Sequence, residues 1–390
     1  MSRFHSVSHQ ADVGIIGGGI VGLLTARALL NTGFSVCMFD QHYPGTQASW
    51  AGAGILGSLA PWHPEPDLEA LRVHVLDVYQ KLSMQLQEST GVDIGFRQQG
   101  MLVLPPFLEQ LQVWLRESKP ETAHWFQAAD CQSLFGNYAQ LMGGLDAYEQ
   151  VLHIASAAMV QPADLCRALL SDLLRSRHFQ LHPYDPLCGF TCSQGRISAM
   201  HTQASEASGA RGYAFDHYVL SAGVWSERLY RLSAPPDAGL LTGIEPIKGQ
   251  ILAYRVIEPL PNAHLLPGFS IVCDGYYAVL RPDGQVLVGS TLEHSGFNVL
   301  PTRSAYDELA RQAIRMMPGL VSATPVCHWT GLRPGRSVPL IGRCPYNDNL
   351  WLNCGHFRDG FSTAPGSAEL LSSLIAGELP SIDSKPYRLI

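Results

Sequence analysis

The chain has 390 residues, 46% of them hydrophobic and only 15% charged, and a formal net charge of −7. That length is more than one simple core needs and suits two domains, and the apolar share excludes a disordered or fibrous protein. The mild acidity offers no basic patch for nucleic acid, and no apolar run is long enough for an integral membrane segment.

Residues 1–10 are polar and are expected to fray. No apolar leader precedes the first strand, so the sequence reads as cytoplasmic, without a signal peptide. The first informative stretch is Ile15-Ile16-Gly17-Gly18-Gly19-Ile20-Val21-Gly22, which follows an apolar run and enters a helix over Leu23–Leu30. Gly17 permits a tight turn, Gly19 lets a phosphate approach the backbone, and Gly22 lets helix and strand pack closely. The helix start, with Ile20 and Val21, offers free N–H groups and partial positive charge to a pyrophosphate. Gly33 ends the helix, and Ser35–Phe39 reads as the second strand. Asp40 stands at its end beside Gln41, where an acidic side chain accepts hydrogen bonds from a ribose. A glycine-rich turn in some other α/β protein would explain the glycines but leave Asp40 without a role.

Small residues then dominate Pro44–Ile55, where Ser49, Ala51, Gly52 and Gly54 allow a ring or phosphate to lie against the backbone. Pro64–Thr90 reads as a helix with Asp67 as N-cap and Leu68, Leu71, Val75, Leu76, Tyr79 and Leu82 at helical spacing. Ile94–Leu104 alternates as a strand pair turning near Gly100. Leu108–Arg116 and Glu121–Leu134 read as helices.

Val151–Pro162 is a strand and turn, Pro162–Arg175 an amphipathic helix, and Phe179–Leu187, Arg196–Thr202 and Tyr213–Leu220 are strands. The last runs into Ser221-Ala222-Gly223-Val224-Trp225-Ser226, and small residues at a strand end are where a doubly wound sheet meets its ligand. A strand-rich block follows, with Ile251–Val256, Tyr276–Arg281 and Val286–Ser290, the last two joined by a Pro282-Asp283-Gly284 turn. Glu308–Met317 is a helix. Leu350–Gly360 and the helix over Ala364–Ile375 repeat the order strand, glycine-rich turn, helix.

The pattern predicts an α/β (α+β overall) protein with two domains, both discontinuous in sequence. A Rossmann-like dinucleotide-binding domain takes 1–90, 151–225 and 326–390, and an antiparallel-sheet substrate domain takes 91–150 and 226–325. Nine cysteines without a CxxC pair read as free thiols of a reducing compartment. The histidines show no HExxH or paired-ligand spacing, so no metal is expected.

Taken together these stretches resemble the D-amino acid oxidase family of FAD-dependent oxidoreductases, and within it the glycine oxidase branch of thiamine biosynthesis. The resemblance rests on GGGIVGLLTA, ASWAGAGIL, Leu220 through Ser226, Pro246-Ile247-Lys248-Gly249-Gln250, Leu287 through Glu293, Gly331-Leu332-Arg333-Pro334-Gly335 and Gly355-His356-Phe357-Arg358-Asp359-Gly360. These run in the family's order across almost the whole chain.

The resemblance implies FAD as cofactor, with Gly17, Gly19 and Gly22 at the pyrophosphate and Asp40 at the adenosine ribose. It puts Ser49, Ala51, Gly52 and Gly54 beside flavin or phosphates, the Leu187 backbone at the adenine, and Gly223 and Gly355–Gly360 against the flavin and its ribityl chain. Asp359 stands where glycine oxidases commonly carry Asn, and His356 is expected to be structural.

The same resemblance makes Arg333 the substrate-carboxylate arginine, a role its two-pronged guanidinium suits. Tyr277 and Arg358 assist it. Tyr276 points to the opposite strand face, so a one-residue shift would exchange the two tyrosines. The implied reaction is oxidation of glycine, sarcosine or small D-amino acids by hydride transfer to flavin. Its products are a 2-oxo acid, ammonia and, with O₂ as acceptor, hydrogen peroxide. No side chain is nominated as a catalytic base. Two other readings stay open: a dehydrogenase that passes electrons to a quinone or other carrier, and a flavin-binding protein without turnover. The relatives' tetramers raise the prospect of a homo-oligomer.

Overall fold

The structure is a computed structural model that describes residues 8–9, 11–58, 65–98, 100–105, 108–118, 123–127, 150–203, 211–235, 243–255, 269–281 and 283–389. The expectations for most of residues 1–10, for Pro282 and for much of Glu121–Leu134 lie outside the described residues.

A six-stranded sheet forms around Val13–Ile16. Its order is Leu340–Arg343, Leu350–Cys354, His217–Leu220, Val13–Ile16, Val36–Asp40, Phe179–Pro183, parallel throughout except at the first pair. All four residues of Val13–Ile16 are buried, as a strand covered on both faces requires. Alternation divides the work. Val13, Ile15, Val36 and Met38 pack on the helices Ile20–Asn31, Gly360–Ala376 and Pro162–Leu173. Ile16, Cys37 and Phe39 pack on the opposite side, against Met200, Tyr213 and Phe215. That second cover is itself mostly a sheet, of order Ser8–His9, Arg211–Ala214, Arg196–Thr202, Leu187–Ser193.

An eight-stranded sheet completes the architecture. Its order is Pro325–Gly335, Glu245–Arg255, Gln285–Gly289, Tyr276–Leu280, Phe269–Cys273, Met101–Val103, Gln150–Ile154, Ala123–Gln127. One face packs on the helix Arg303–Met316 through Leu252, Val286 and Val288, and the other buries Ile251, Tyr277 and Leu287 beside Ala53 and Met159. Two of its strands, Gln150–Ile154 and Pro325–Gly335, come almost wholly from segments that the sequence division grouped with the dinucleotide domain.

Several elements differ from expectation. The helix expected over Glu121–Leu134 is a strand over Ala123–Gln127, because His124-Trp125-Phe126 alternate across a sheet edge and pair with Val151–His153. The strand pair expected over Ile94–Leu104 reduces to Met101–Val103 and a single bridge between Arg97 and Met159. The long helix of Pro64–Thr90 breaks into Pro66–Arg72 and Val75–Thr90. Tyr213–Leu220 divides between two sheets, as Arg211–Ala214 and His217–Leu220. Among the described residues no helix is long and apolar enough to cross a membrane.

Candidate active site

A cavity of about 790 Å³ opens where the carboxyl ends of the parallel strands meet the eight-stranded sheet. That is where doubly wound sheets bind ligands, and the volume is within the usual range for cofactor sites. Every residue nominated for cofactor or substrate lines it except Gly22.

Gly22 acts one layer back. Gly17 adopts φ +105°, a left-handed conformation that suits glycine, and a Cβ on Gly22 would collide with the Gly17 carbonyl. The turn and the helix start therefore fit only without side chains. The Ile20 N–H donates to Ser49 Oγ at 2.9 Å, so a serine 29 residues on caps the helix that Gly19 cannot cap. Asp40 is tied to the same turn: Gly18 N–H donates to Oδ2 at 2.7 Å and His42 N–H to Oδ1 at 2.8 Å. Burial pushes its carboxyl above the ordinary range, and these two donors pull against that shift. Each oxygen keeps lone-pair capacity for a further donor.

The substrate-side residues stand on the eight-stranded sheet. Arg333 on Pro325–Gly335 pairs with Ile247 across the ladder and leans over Gly249, two residues along that strand. A Cβ on Gly249 would occupy the space of the guanidinium. Arg333 Nη2 donates to Ser290 Oγ at 2.6 Å and Nη1 to the Thr291 carbonyl at 3.1 Å. Burial lowers its pKa from the ordinary value, and the adjoining Tyr277 hydroxyl favours the charge. Among the described residues no carboxylate lies in ion-pair range of Arg333. Tyr277 is 7% exposed and faces the cavity, whereas Tyr276 packs on the far side near Glu308. The geometry thus places Tyr277, and not its neighbour, beside Arg333.

Lys248 and Gln250 point away from the cavity, as alternation requires. Lys248 Nζ lies 2.9 Å from Glu293, and Gln250 Nε2 donates to Glu293 at 2.7 Å and to Thr302 at 3.0 Å. Burial pushes the Glu293 carboxyl up, but hydrogen bonds from Thr291, Lys248 and Gln250 outweigh it and hold the carboxyl below the usual range. This cluster anchors the turn that presents Ser290 and Thr291 to Arg333.

On the opposite wall, the turn Gly355–Gly360 leads into the helix Gly360–Ala376. His356 is buried between Thr363 Oγ1 at 2.8 Å and Asn353 Oδ1 at 3.0 Å, and burial lowers its pKa to about 3. Both ring nitrogens are engaged, which fits a structural role. Arg358 is exposed at the mouth, its Cζ 5.7 Å from the Phe357 ring centre.

Two contributors escaped the sequence reading. Ser290 lay within a quoted motif but carried no role. Arg72 stands among Leu68, Leu71 and Val75, whose helical spacing carries no sign of a functional charge. It is only 8% exposed, lines the cavity and forms an ion pair with Asp359.

These features define a dinucleotide-binding oxidoreductase fold: a glycine turn at a helix start, an acid at the end of the second strand and a long cavity ending at a partly buried cation. A profile of FAD dependent oxidoreductases matches residues 12–374, and the chain belongs to that family. FAD is therefore its cofactor, and the residues present fit it. Gly17, Gly19, Ile20 and Val21 line the cavity at the helix start, and the buried Ser221 Oγ on the cavity wall has no partner among the described residues.

The chain is 37% identical over 380 residues to a glycine oxidase of Pseudomonas putida, covering 96% of this chain and 97% of that one. It is 35% identical to a glycine oxidase of Pseudomonas aeruginosa, with the same coverage. The crystal structure of glycine oxidase from Geobacillus kaustophilus superposes with a TM-score of 0.84 at 23% identity, covering 98% of this chain and 99% of that one.

Proposed function

We propose that the protein oxidises glycine and other small carboxylate-bearing amines, such as sarcosine and small D-amino acids, and that it serves thiamine biosynthesis. The observation that carries this reading is Arg333. A partly buried guanidinium without a carboxylate partner among the described residues faces the cofactor cavity, held by Ser290 and Thr291 over Gly249. A cation partly withdrawn from water and without a counter-charge selects an anionic ligand. The similarity to glycine oxidases supplies the matching substrate class.

Arg333 and the Tyr277 hydroxyl hold the substrate carboxylate and fix the direction in which the α-carbon points. FAD supplies the hydride acceptor, and the protein supplies binding and orientation. His356 moves no proton, since both ring nitrogens are engaged and it is neutral at working pH. The amine therefore reacts from its deprotonated form without a side-chain base. Loss of hydride leaves an imine, which water hydrolyses to ammonia and glyoxylate when glycine is the substrate. With O₂ as the final acceptor, hydrogen peroxide is the second product.

Anaerobic addition of glycine, sarcosine, D-alanine and D-proline, each in turn, should bleach the flavin absorbance. In air, peroxide should then form in step with the oxo acid. Bleaching without peroxide would move the protein to the dehydrogenases, and no bleaching by any amino acid would refute the proposal.

A further inference from the structure

We propose that Arg72 sets the electrostatics of the flavin site by neutralising Asp359, so that the two act as one charge element in the cofactor wall. Arg72 ends the helix Pro66–Arg72, whose Leu68 and Leu71 are also buried. Its Nη1 lies 2.7 Å from Glu69, its Nη2 pairs with Asp359, and its buried Nε has no hydrogen-bond partner among the described residues. Both members of the pair line the cofactor cavity.

Asp359 occupies the N-cap position of Gly360–Ala376, yet its side chain makes no capping hydrogen bond. Its carboxylate turns to Arg72 instead. The 17-residue helix presents its positive end to the cavity at Gly360 and Phe361. An ionised carboxylate at that point would cancel the helix field and disfavour added electron density on the flavin. Arg72 removes that penalty. Burial pushes the Asp359 carboxyl above its usual range, and Arg72 opposes the shift, with Glu65 and Arg358 as weaker neighbours of opposite sign. A second role follows from position: the pair ties a helix early in the chain to the turn at residue 359, closing the wall on that side.

The inference needs only the bound cofactor, so a failure of glycine turnover would leave it standing. The test is the flavin midpoint potential of the holoenzyme, measured by anaerobic dye-coupled reduction at about pH 8, above the carboxylate range. Asp359→Asn, which leaves Arg72 with only the solvent-exposed Glu69 as counter-charge, should raise the potential. Arg72→Met, which leaves the carboxylate unbalanced, should lower it. Each shift should reach about tenfold in the reduction equilibrium, or about 30 mV for a two-electron couple. The double variant Arg72→Met/Asp359→Asn should return to the wild-type value.

A purely structural role for Arg72 would give no such compensation. An unchanged potential in Asp359→Asn, or a double variant that keeps the shift of either single one, would overturn the proposal. Asp359→Asn is nearly isosteric, so it keeps the test readable should Arg72→Met fail to retain FAD.

Discussion

Arg333 shows how a single cation is made selective. Its strand neighbours leave no freedom: Ser290 and Thr291 take one edge of the guanidinium, and Gly249 leaves space beneath it. Arg333→Ala removes a charge-assisted contact worth about 1.5–3 kcal/mol. Substrate affinity should then fall roughly 10- to 100-fold, with the bound-flavin spectrum unchanged. Steady-state kinetics with an absorbance spectrum of the same sample checks both halves. Gly249→Ala offers a subtler version. Gly249 lies in the middle of Glu245–Arg255, hydrogen-bonded to Pro325–Gly335, so its backbone has little room to retreat from an added methyl group. The guanidinium must move instead, and affinity for a simple carboxylate inhibitor should drop about tenfold, near 1.4 kcal/mol. Unaltered inhibitor binding in Gly249→Ala would mean that Arg333 does not lie where carboxylates bind.

Elements are placed here by contacts far apart in sequence, and that decides what could be read without the structure. The glycine turn was legible because backbone geometry alone dictates the residue type at Gly17. The strand Ala123–Gln127 was not, because the strand Gln150–Ile154 that pairs with it lies more than twenty residues away in the chain. Arg72 was not, because the partner that makes its burial tolerable lies 287 residues away. Tyr277 was narrowed to a choice of two, and only the sheet's facing settled which one meets the cavity. Ser49 belongs with the long-range cases. The sequence places it beside flavin or phosphates, and the structure adds that, on the cavity wall, it also caps the helix Ile20–Asn31. Ser49→Ala leaves the Ile20 N–H without its acceptor and should cost about 1–2 kcal/mol. Denaturant unfolding of the apoprotein would measure that loss. Behind Arg333, Lys248→Met strands Glu293 next to Gln250. The cost should stay below about 3 kcal/mol, because the Glu293 side chain keeps 26% of its exposure. The Michaelis constant should rise with little change in maximal rate, since the anchor of Ser290 and Thr291 loosens while the cofactor wall is untouched.

Across the whole molecule, one buried chain of polar groups joins the first helix to the last. Thr25 on Ile20–Asn31 receives Asn353 Nδ2 at 3.0 Å, Asn353 Oδ1 meets His356 Nε2, and His356 Nδ1 meets Thr363 on Gly360–Ala376. Thr25 Oγ1 donates onward to the Val21 carbonyl at 2.8 Å. Because Asn353 Nδ2 is already spent on Thr25, its Oδ1 faces the ring and accepts from Nε2, while Thr363 Oγ1, beside Nδ1, also donates to the Asp359 carbonyl at 2.9 Å. The buried ring cannot hold a second proton without losing its solvation, so the folded state favours neutral imidazole. Burial accordingly lowers the His356 pKa from 6.5 to about 3. In the unfolded chain the ring titrates near its ordinary value, so between about pH 6.5 and 3 the unfolded state binds more protons. The stabilisation is therefore complete above about pH 6.5 and is lost as pH falls, by up to about 1.4 kcal/mol per unit. Carboxylates add their own acid sensitivity at lower pH, which makes the upper part of this window the informative one. Thermal unfolding of the apoprotein between about pH 7 and 5 should show falling stability in the wild type. In His356→Gln the neutral-pH stability should be lower, because the network is broken, but the slope over that window should be flatter. Parallel slopes in the two proteins would show that a different group governs acid unfolding and that His356 is not the proton-excluding link between the two helices.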